Sequence, residues 1–488
     1  MFIGRGNELK LLNGLFDLRK ASIAVCAGRR RIGKSTLIQQ FGKKAITFLE
    51  FQGLPPREGI TKENQLNAFS EQLARQTNLP KLNLESWYQA FSLLNNVVKD
   101  EKTVILLDEI SWMATRDKDF AGQLKIAWDT DFKHHAGLIL VLCGSVSSWI
   151  DKNILNSAGF VGRISLKLIP QELGLFHCNM FWGEKAGLID AKEKLKMLAV
   201  TGGVPRYLEE INPNLPAEEN IRRICFSKEG FLYSEFDQIF QDIFSRRAPS
   251  YKRIVSALVS GRKTLSDLAD QLKRDRGGDL SRYLIDPSDS GFITKDVIFQ
   301  PGKKKASNLA KYRLKDNYLR FYLKYLEPIK DKIERGLFRE VALESLAEWE
   351  TIMGLQFENL VLNNIRTICS LLAININTVK SASPYFQKKT QRKQPCQIDL
   401  LIETKFTFYV CEIKFRKMIP KKVISEVQEK IERLKLPKGY TVRPVLIYSG
   451  VLASGIEEDG YFDNILNFDR LLTTSLEEIE GEKLSLSS

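Results

Sequence analysis

The chain lacks cysteine in any useful pattern. Its seven cysteines, Cys26, Cys143, Cys178, Cys225, Cys369, Cys396 and Cys411, never form a C-x-x-C pair, and several lie in apolar strand-like runs. That spacing argues against a zinc site or a disulfide framework and leaves small buried residues in a reducing compartment. Long apolar runs are missing too. The longest, around Leu138 to Val146, falls far short of the roughly 20 residues a membrane helix needs. The opening Met1-Phe2-Ile3-Gly4-Arg5-Gly6 has no signal-peptide apolar region. There is no internal repeat and no long low-complexity tract. A cytoplasmic protein without membrane contact is expected.

What the chain has in excess is positive charge. Its 73 Lys and Arg against 59 Asp and Glu give +14 over 488 residues. That balance favours nucleic acid or another anionic partner, or a basic surface kept for solubility. The length suggests about three domains.

Gly28-Arg29-Arg30-Arg31-Ile32-Gly33-Lys34-Ser35 matches the phosphate-loop pattern G-x-x-x-x-G-K-[ST] in full, and Thr36 follows it. Glycines let backbone N–H groups curl around phosphate oxygens. Lys34 reaches the β- and γ-phosphates as a point charge, and the Ser35 hydroxyl suits Mg²⁺. A strand-like run precedes the loop and a helix follows it, so an anion meets a helix N-terminus. ATP with Mg²⁺ is the expected ligand, and Arg29, Arg30 and Arg31 add charge beside it or face solvent.

Strand-like runs at Ile23–Ala27, Ile46–Phe51, Val104–Asp108, Leu138–Cys143 and Ile164–Leu168 alternate with helical stretches. The expected fold class is α/β, with a mostly parallel sheet as the core of residues 1–169. Residues 170–246 read as a helical subdomain. Residues 247–326 read as three short helices and a basic hairpin, which describe a winged helix. A long helical stretch from Leu337 to Leu372 leads into strands around one helix, giving a domain over 337–480. The strand-like run Thr103–Glu109 ends in two carboxylates. Asp108 is the expected Mg²⁺ partner and Glu109 the expected base for the attacking water. Ser145 ends the next strand, either as a γ-phosphate sensor or as a plain strand end.

Phe2-Ile3-Gly4-Arg5 with Glu8, Leu107-Asp108-Glu109, Cys143-Gly144-Ser145, Gly162-Arg163-Ile164 and Gly202-Gly203-Val204-Pro205-Arg206-Tyr207 follow one another in order. Together they resemble the archaeal and bacterial AAA-like ATPases of the STAND class, P-loop enzymes of the catalytic-glutamate type, over nearly the whole chain. The resemblance implies that Phe2, Ile3 and Arg5 pack near the adenine and that Pro205 approaches the nucleotide, with residues 170–246 as a lid. It also offers Arg163 as a γ-phosphate sensor or a finger acting on a neighbouring subunit of a homo-oligomer. An exposed structural arginine is the other reading.

A second chemistry lies near the C-terminus. Gln397–Ile402 and Phe408–Phe415 are apolar strands joined by a short turn. A turn centred on Lys405-Phe406 sets Asp399 opposite Glu412, with Glu412 and Lys414 on one face. Carboxylates and an ammonium on an apolar hairpin are costly without a purpose. A divalent metal between Asp399 and Glu412, with the Ile413 carbonyl as a further ligand and Lys414 beside the phosphate, accounts for them. The pattern resembles the PD-(D/E)XK nuclease superfamily, although no proline directly precedes Asp399. That resemblance implies a restriction-endonuclease-like domain, with Glu358 as an accessory metal acid and Gln428 as a further contributor. Lys303 to Lys305 at the wing, and Lys388-Lys389, Arg392-Lys393, Arg416-Lys417 and Lys421-Lys422 near the metal site, suit a nucleic-acid backbone, DNA above all. The nuclease-like domain either cuts or only grips, and the winged helix either docks DNA or contacts protein.

Overall fold

The computed structural model describes residues 2–145, 148–244, 247–274, 278–299, 306–338, 342–389, 391, 394–434 and 436–473. They fall into two units. The first comprises residues up to Gln171 with 239–245 and 289–291, and the second holds the remainder. Lys303 to Lys305, Arg392 and Lys393 lie outside the described residues.

The first unit is built on strands β1 (Ser22–Gly28), β2 (Thr47–Gln52), β3 (Thr103–Asp108), β4 (Leu138–Ser145) and β5 (Ile164–Leu168). They form one sheet in the order β2-β3-β4-β1-β5, and every pair is parallel. All seven residues of β1 are buried, as a strand must be when helices cover both faces of its sheet. Side chains alternate between those faces. Ile23, Val25 and Ala27 enter one core cluster, whereas Ala24 and Cys26 enter the other.

The first cluster is rich in aromatic rings, which prefer edge-on or offset contacts. Trp87 is fully buried and meets Phe120 edge-on at 4.8 Å, Phe69 edge-on at 5.5 Å and Phe91 at 5.7 Å. Ser86 caps the helix Trp87–Asn95 by accepting from the Gln89 amide, and so orients the rings.

In the second unit, helices Ala191–Thr201 and Ala217–Cys225 pack together. Lys194 is wholly buried and donates to the carbonyls of Leu472 at 2.8 Å and Ala186 at 2.5 Å. Helix Ala248–Ala257 leads into strand β6 (Lys263–Thr264), helices Leu265–Leu272 and Gly278–Asp289 follow, and strands β7 (Ile293–Phe299) and β8 (Ala306–Leu314) come after them. These strands form an antiparallel sheet in the order β6-β8-β7. β8 starts earlier than its apolar run Lys311–Leu314 suggests, because hairpin pairing with β7 carries a polar segment.

The long helix expected from Leu337 is not continuous. After a single 3₁₀ turn at Leu343–Ser345, the α-helix begins at Trp349, following Glu348 at φ 58°, and runs to Asn363. It breaks at Asn364, whose side chain donates to the Leu360 carbonyl at 2.8 Å and competes with the helix ladder.

The last sheet holds β9 (Ser381–Gln387), β10 (Cys396–Glu403), β11 (Thr407–Ile419), β12 (Thr441–Leu452) and β13 (Asn464–Asn467), in the order β13-β12-β11-β10-β9. β9, β10 and β11 are antiparallel neighbours, while β12 and β13 run parallel to β11. The helix Val423–Arg433 makes the crossover to β12 that a parallel pair requires. Leu400 stands opposite Cys411, the register expected from a turn at Lys405-Phe406. Strand β13 was not anticipated, since four residues carry no usable periodicity.

Trp87→Ala is expected to cost the first unit roughly 3–5 kcal/mol, read from urea unfolding followed by circular dichroism. A loss below about 1 kcal/mol would mean the aromatic cluster is loosely packed.

Candidate functional site: a phosphate loop and a carboxylate centre

The loop between β1 and the helix Lys34–Gly42 turns through two left-handed residues, Arg31 at φ 66° and Gly33 at φ 82°. Gly33 needs its glycine for that reason. Gly28 does not, for an added Cβ would meet Pro170 at an ordinary 3.5 Å. Lys34 is buried and donates from Nζ to the carbonyls of Gly28 at 3.2 Å and Arg29 at 3.0 Å. Its ammonium therefore rests on neutral acceptors of the loop itself. Arg5 braces the loop from outside. Buried and paired with Glu8 at 3.2 Å, it donates to the Ile32 carbonyl at 2.9 Å. Ile3 is buried, and Phe2 packs on the core face that holds Cys26 and Phe41. Arg29 is buried, Arg30 lies 5.9 Å over the Trp112 ring, and Thr36 is exposed.

The acids at the end of β3 meet this loop. Ser35 Oγ donates to Asp108 Oδ2 at 2.6 Å, and the Glu109 amide donates to Asp108 Oδ1 at 3.0 Å. Glu109 is left-handed, at φ 48° and ψ 47°, a conformation a glutamate holds only under constraint. Gly53 supplies part of that constraint, since a Cβ there would come within 2.8 Å of the Glu109 carbonyl. The Ser145 amide points to Glu109 Oε2 at 3.4 Å. Burial raises the Glu109 carboxyl above its ordinary range. The Lys34 charge opposes this, and Asp108 adds to it.

A hydroxyl and a carboxylate in contact, beside a loop that ends in a lysine and a helix N-terminus, form a donor set that fits Mg²⁺ and a polyphosphate. Arg163 is engaged elsewhere in this unit. Its fork holds Asp129 at 2.8 and 2.9 Å, and Lys125 joins the same carboxylate at 2.9 Å. Pro205, in the second unit, opens the helix Pro205–Leu208 after the left-handed Gly202.

In the second unit Glu412 and Glu358 lie within electrostatic reach of Asp399. Asp399 Oδ2 accepts from the Ile413 amide at 3.0 Å. Burial raises the Asp399 carboxyl well above its usual range. The charges of Glu412 and Glu358 add to this, and Lys430 opposes it. Glu412 is buried between two ammonium groups, Lys414 on Oε1 at 2.9 Å and Lys430 on Oε2 at 2.5 Å. Lys414 also meets Glu426 at 3.2 Å. Burial alone would lower the Lys414 amine, but the two glutamates outweigh it and raise it.

Lys430 and Glu426 were missed in the sequence. They stand four apart on the helix Val423–Arg433, one turn of a shared face. Gln428, picked instead, is exposed. Glu358 is held by Arg262, a residue no motif singled out. Among the described residues no three His, Cys, Asp or Glu side chains are grouped to hold a metal ion, and no helix is long and apolar enough to cross a membrane.

No protein-family model matches the chain. An uncharacterized protein of Methanocaldococcus jannaschii is 25% identical over 360 residues, which cover 73% of this chain and 76% of that one. Among solved structures, a Walker-type ATPase of Pyrococcus abyssi matches with TM-score 0.49 and 16% identity, over 66% of this chain and 96% of its own. The ORC2 protein of Aeropyrum pernix, in ADPNP–ADP complexes, matches with TM-score 0.41 and 14% identity, over 68% and 94%. Likenesses of this size carry no assignment. The chain's own five-stranded parallel sheet is consistent with a P-loop AAA-like α/β core.

The raised Glu109 carboxyl has a consequence for stability. The folded state binds its proton more tightly than the unfolded state does. The cost of the charge is therefore absent below the unfolded value and complete above the folded one. Glu109→Gln is expected to melt higher than wild type at pH 8 without nucleotide, and to lose that advantage near pH 4. Equal melting differences at both values would contradict it.

Proposed function

We propose that the chain is an ATP-driven switch controlling a nucleic-acid effector. The observation that carries this reading is the Ser35–Asp108 hydrogen bond of 2.6 Å beside the buried Lys34 and the constrained Glu109. Backbone N–H groups from Arg29 to Thr36 and the Lys34 ammonium would bind the triphosphate. Ser35 and Asp108 would hold Mg²⁺, which neutralises charge on the phosphate oxygens. Glu109 would accept a proton from the attacking water, and its raised carboxyl suits a base. Ser145 would orient that carboxylate through its amide. Phe2, Ile3, Arg5 and Pro205 remain the proposed adenine-side contacts, and Arg163 a proposed finger in a homo-oligomer once Asp129 releases it. The class proposed is the STAND division of AAA-like ATPases.

For the second unit we propose a winged helix over 247–326 and a PD-(D/E)XK-like domain over 337–480 that hydrolyses DNA phosphodiesters, possessing a role in defence against foreign DNA. The mixed sheet, with Asp399, Glu412 and Lys414 on neighbouring strands, supports it. Asp399, Glu412 and Glu358 would hold the divalent ion, which activates water and polarises the phosphate. Lys414 would stand beside the phosphate. One observation favours a second reading, an ATP-gated DNA-binding scaffold without cutting: both oxygens of Glu412 are already taken by lysines.

Wild type, Lys34→Ala, Glu109→Gln and Asp399→Ala/Glu412→Ala are to be incubated with plasmid and single strands, in Mg²⁺ or Mn²⁺, with and without ATP. Lys34→Ala should lose nucleotide binding. Glu109→Gln should bind ATP but hydrolyse it about 10²–10⁴-fold more slowly. Cutting should vanish in the double variant while its ATPase persists. DNA binding with no cutting under any condition selects the scaffold. Absence of nucleotide binding in wild type rejects the switch.

A further inference from the structure

A cavity of about 590 Å³ opens where the sheet β6-β8-β7 meets strands β9 and β10, wholly within the second unit. That volume suits a ligand of nucleotide size. Lys311 of β8 and Lys388, which follows β9, both line it. Lys311 Nζ lies 3.9 Å from the centre of the Phe386 ring and takes no hydrogen bond or ion pair among the described residues. An aromatic face attracts a cation without neutralising it.

The neighbouring acids are engaged elsewhere. Asp296 stands opposite Lys311 across the β7–β8 ladder, but Arg313 holds its two oxygens at 3.0 and 3.3 Å. Asp267 lines the cavity, but its Oδ2 accepts from the Thr264 amide at 2.8 Å and caps its own helix. Burial lowers the Lys311 amine from its ordinary value. The charges of Arg262 and, more weakly, Lys388 add to this, and Asp267 opposes it. Lys311 is thus a half-buried cation among like charges, and an anion in the cavity would offset both costs. The first turn of the helix Leu265–Leu272 forms another part of the lining. Its capping box uses the amides of Thr264 and Asp267, which leaves those of Leu265 and Ser266 outside the helix's own ladder.

We infer that this cavity binds the phosphate of a nucleotide: Lys311 and Lys388 meet the phosphate oxygens, the Leu265 and Ser266 amides add donors, and the base lies along the apolar lining of Ile298, Leu309 and Pro395. The nucleotide is either free or the 5′-phosphorylated end of a strand. Neither the phosphate loop nor Asp399 and Glu412 line this cavity. Because the lining comes from both sheets, an occupant bridges them and stiffens their junction.

Titration calorimetry on the full-length Lys34→Ala chain, whose phosphate loop no longer competes, tests this. The probes are uridine 5′-monophosphate, uridine, and tetrathymidylate with and without a 5′-phosphate. Uridine 5′-monophosphate is expected to bind and uridine to fail. Adding Lys311→Gln should weaken binding about tenfold, the worth of one charge-assisted contact to phosphate. Adding Lys388→Gln should weaken it several-fold, and because Lys388 is exposed this variant guards against a folding defect. If only the phosphorylated tetrathymidylate binds, with the same dependence on both lysines, the source is a strand end and the site stands. Uridine binding as tightly as its monophosphate, no binding by any probe, or binding indifferent to both lysine variants overturns the site. So does equal binding of the two tetrathymidylates when uridine 5′-monophosphate fails.

Discussion

Strand β1 is buried on both faces along its whole length, and the geometry of the first unit follows from that constraint. A strand with no solvent face takes parallel neighbours, because only crossover helices can cover both sides of the sheet. Parallel strands all end at one edge, where ligands of open α/β sheets gather. Gly28, Asp108 and Ser145 are the last residues of β1, β3 and β4. Their chemistry is therefore brought together by topology before any side chain makes a contact. The Ser35–Asp108 bond then ties the helix after the loop to the strand that bears the acids.

The two centres differ in how they hold charge. Lys34 rests on carbonyl oxygens, so its positive charge is stabilised without being cancelled and remains available to an incoming anion. Glu412 is the reverse. Two ammonium groups cancel its charge in a buried setting, and any cation that binds there competes with them. Buried pairs of this kind trade strength for specificity of arrangement. The first centre leaves its ammonium on neutral oxygens, and the second is closed upon itself.

Legibility in the sequence tracked the range of the interaction. Strands β1, β3 and β4 of the first sheet were readable because two-sided burial writes an unbroken apolar run. The register of β10 on β11 was readable because a short turn determines it. The same register led to Asp399 and Glu412, and the structure bonds Asp399 to the amide of Ile413, next to Glu412. What escaped was set by contacts between distant segments. Nothing near Arg262 signals that its partner is Glu358, and nothing near Arg163 signals Asp129. Lys430 could have been found, since a helix that crosses from β11 to β12 must lay one face on the sheet, and Glu426 and Lys430 share a face. The helix expected from Leu337 failed for a local reason: composition there favours helix, but Glu348 adopts a left-handed turn at φ 58°.

The buried Lys194 bears on how the chain is made. Its ammonium is satisfied by the carbonyl of Leu472, far along the sequence. During synthesis the helix Ala191–Thr201 leaves the ribosome long before residue 472 exists. Until then an ammonium destined for the interior has only part of its shell and must stay hydrated. The helical region thus cannot complete its burial as a nascent unit. It waits for the far end of the same unit, around Leu472, so the second unit completes its core only after that end is made.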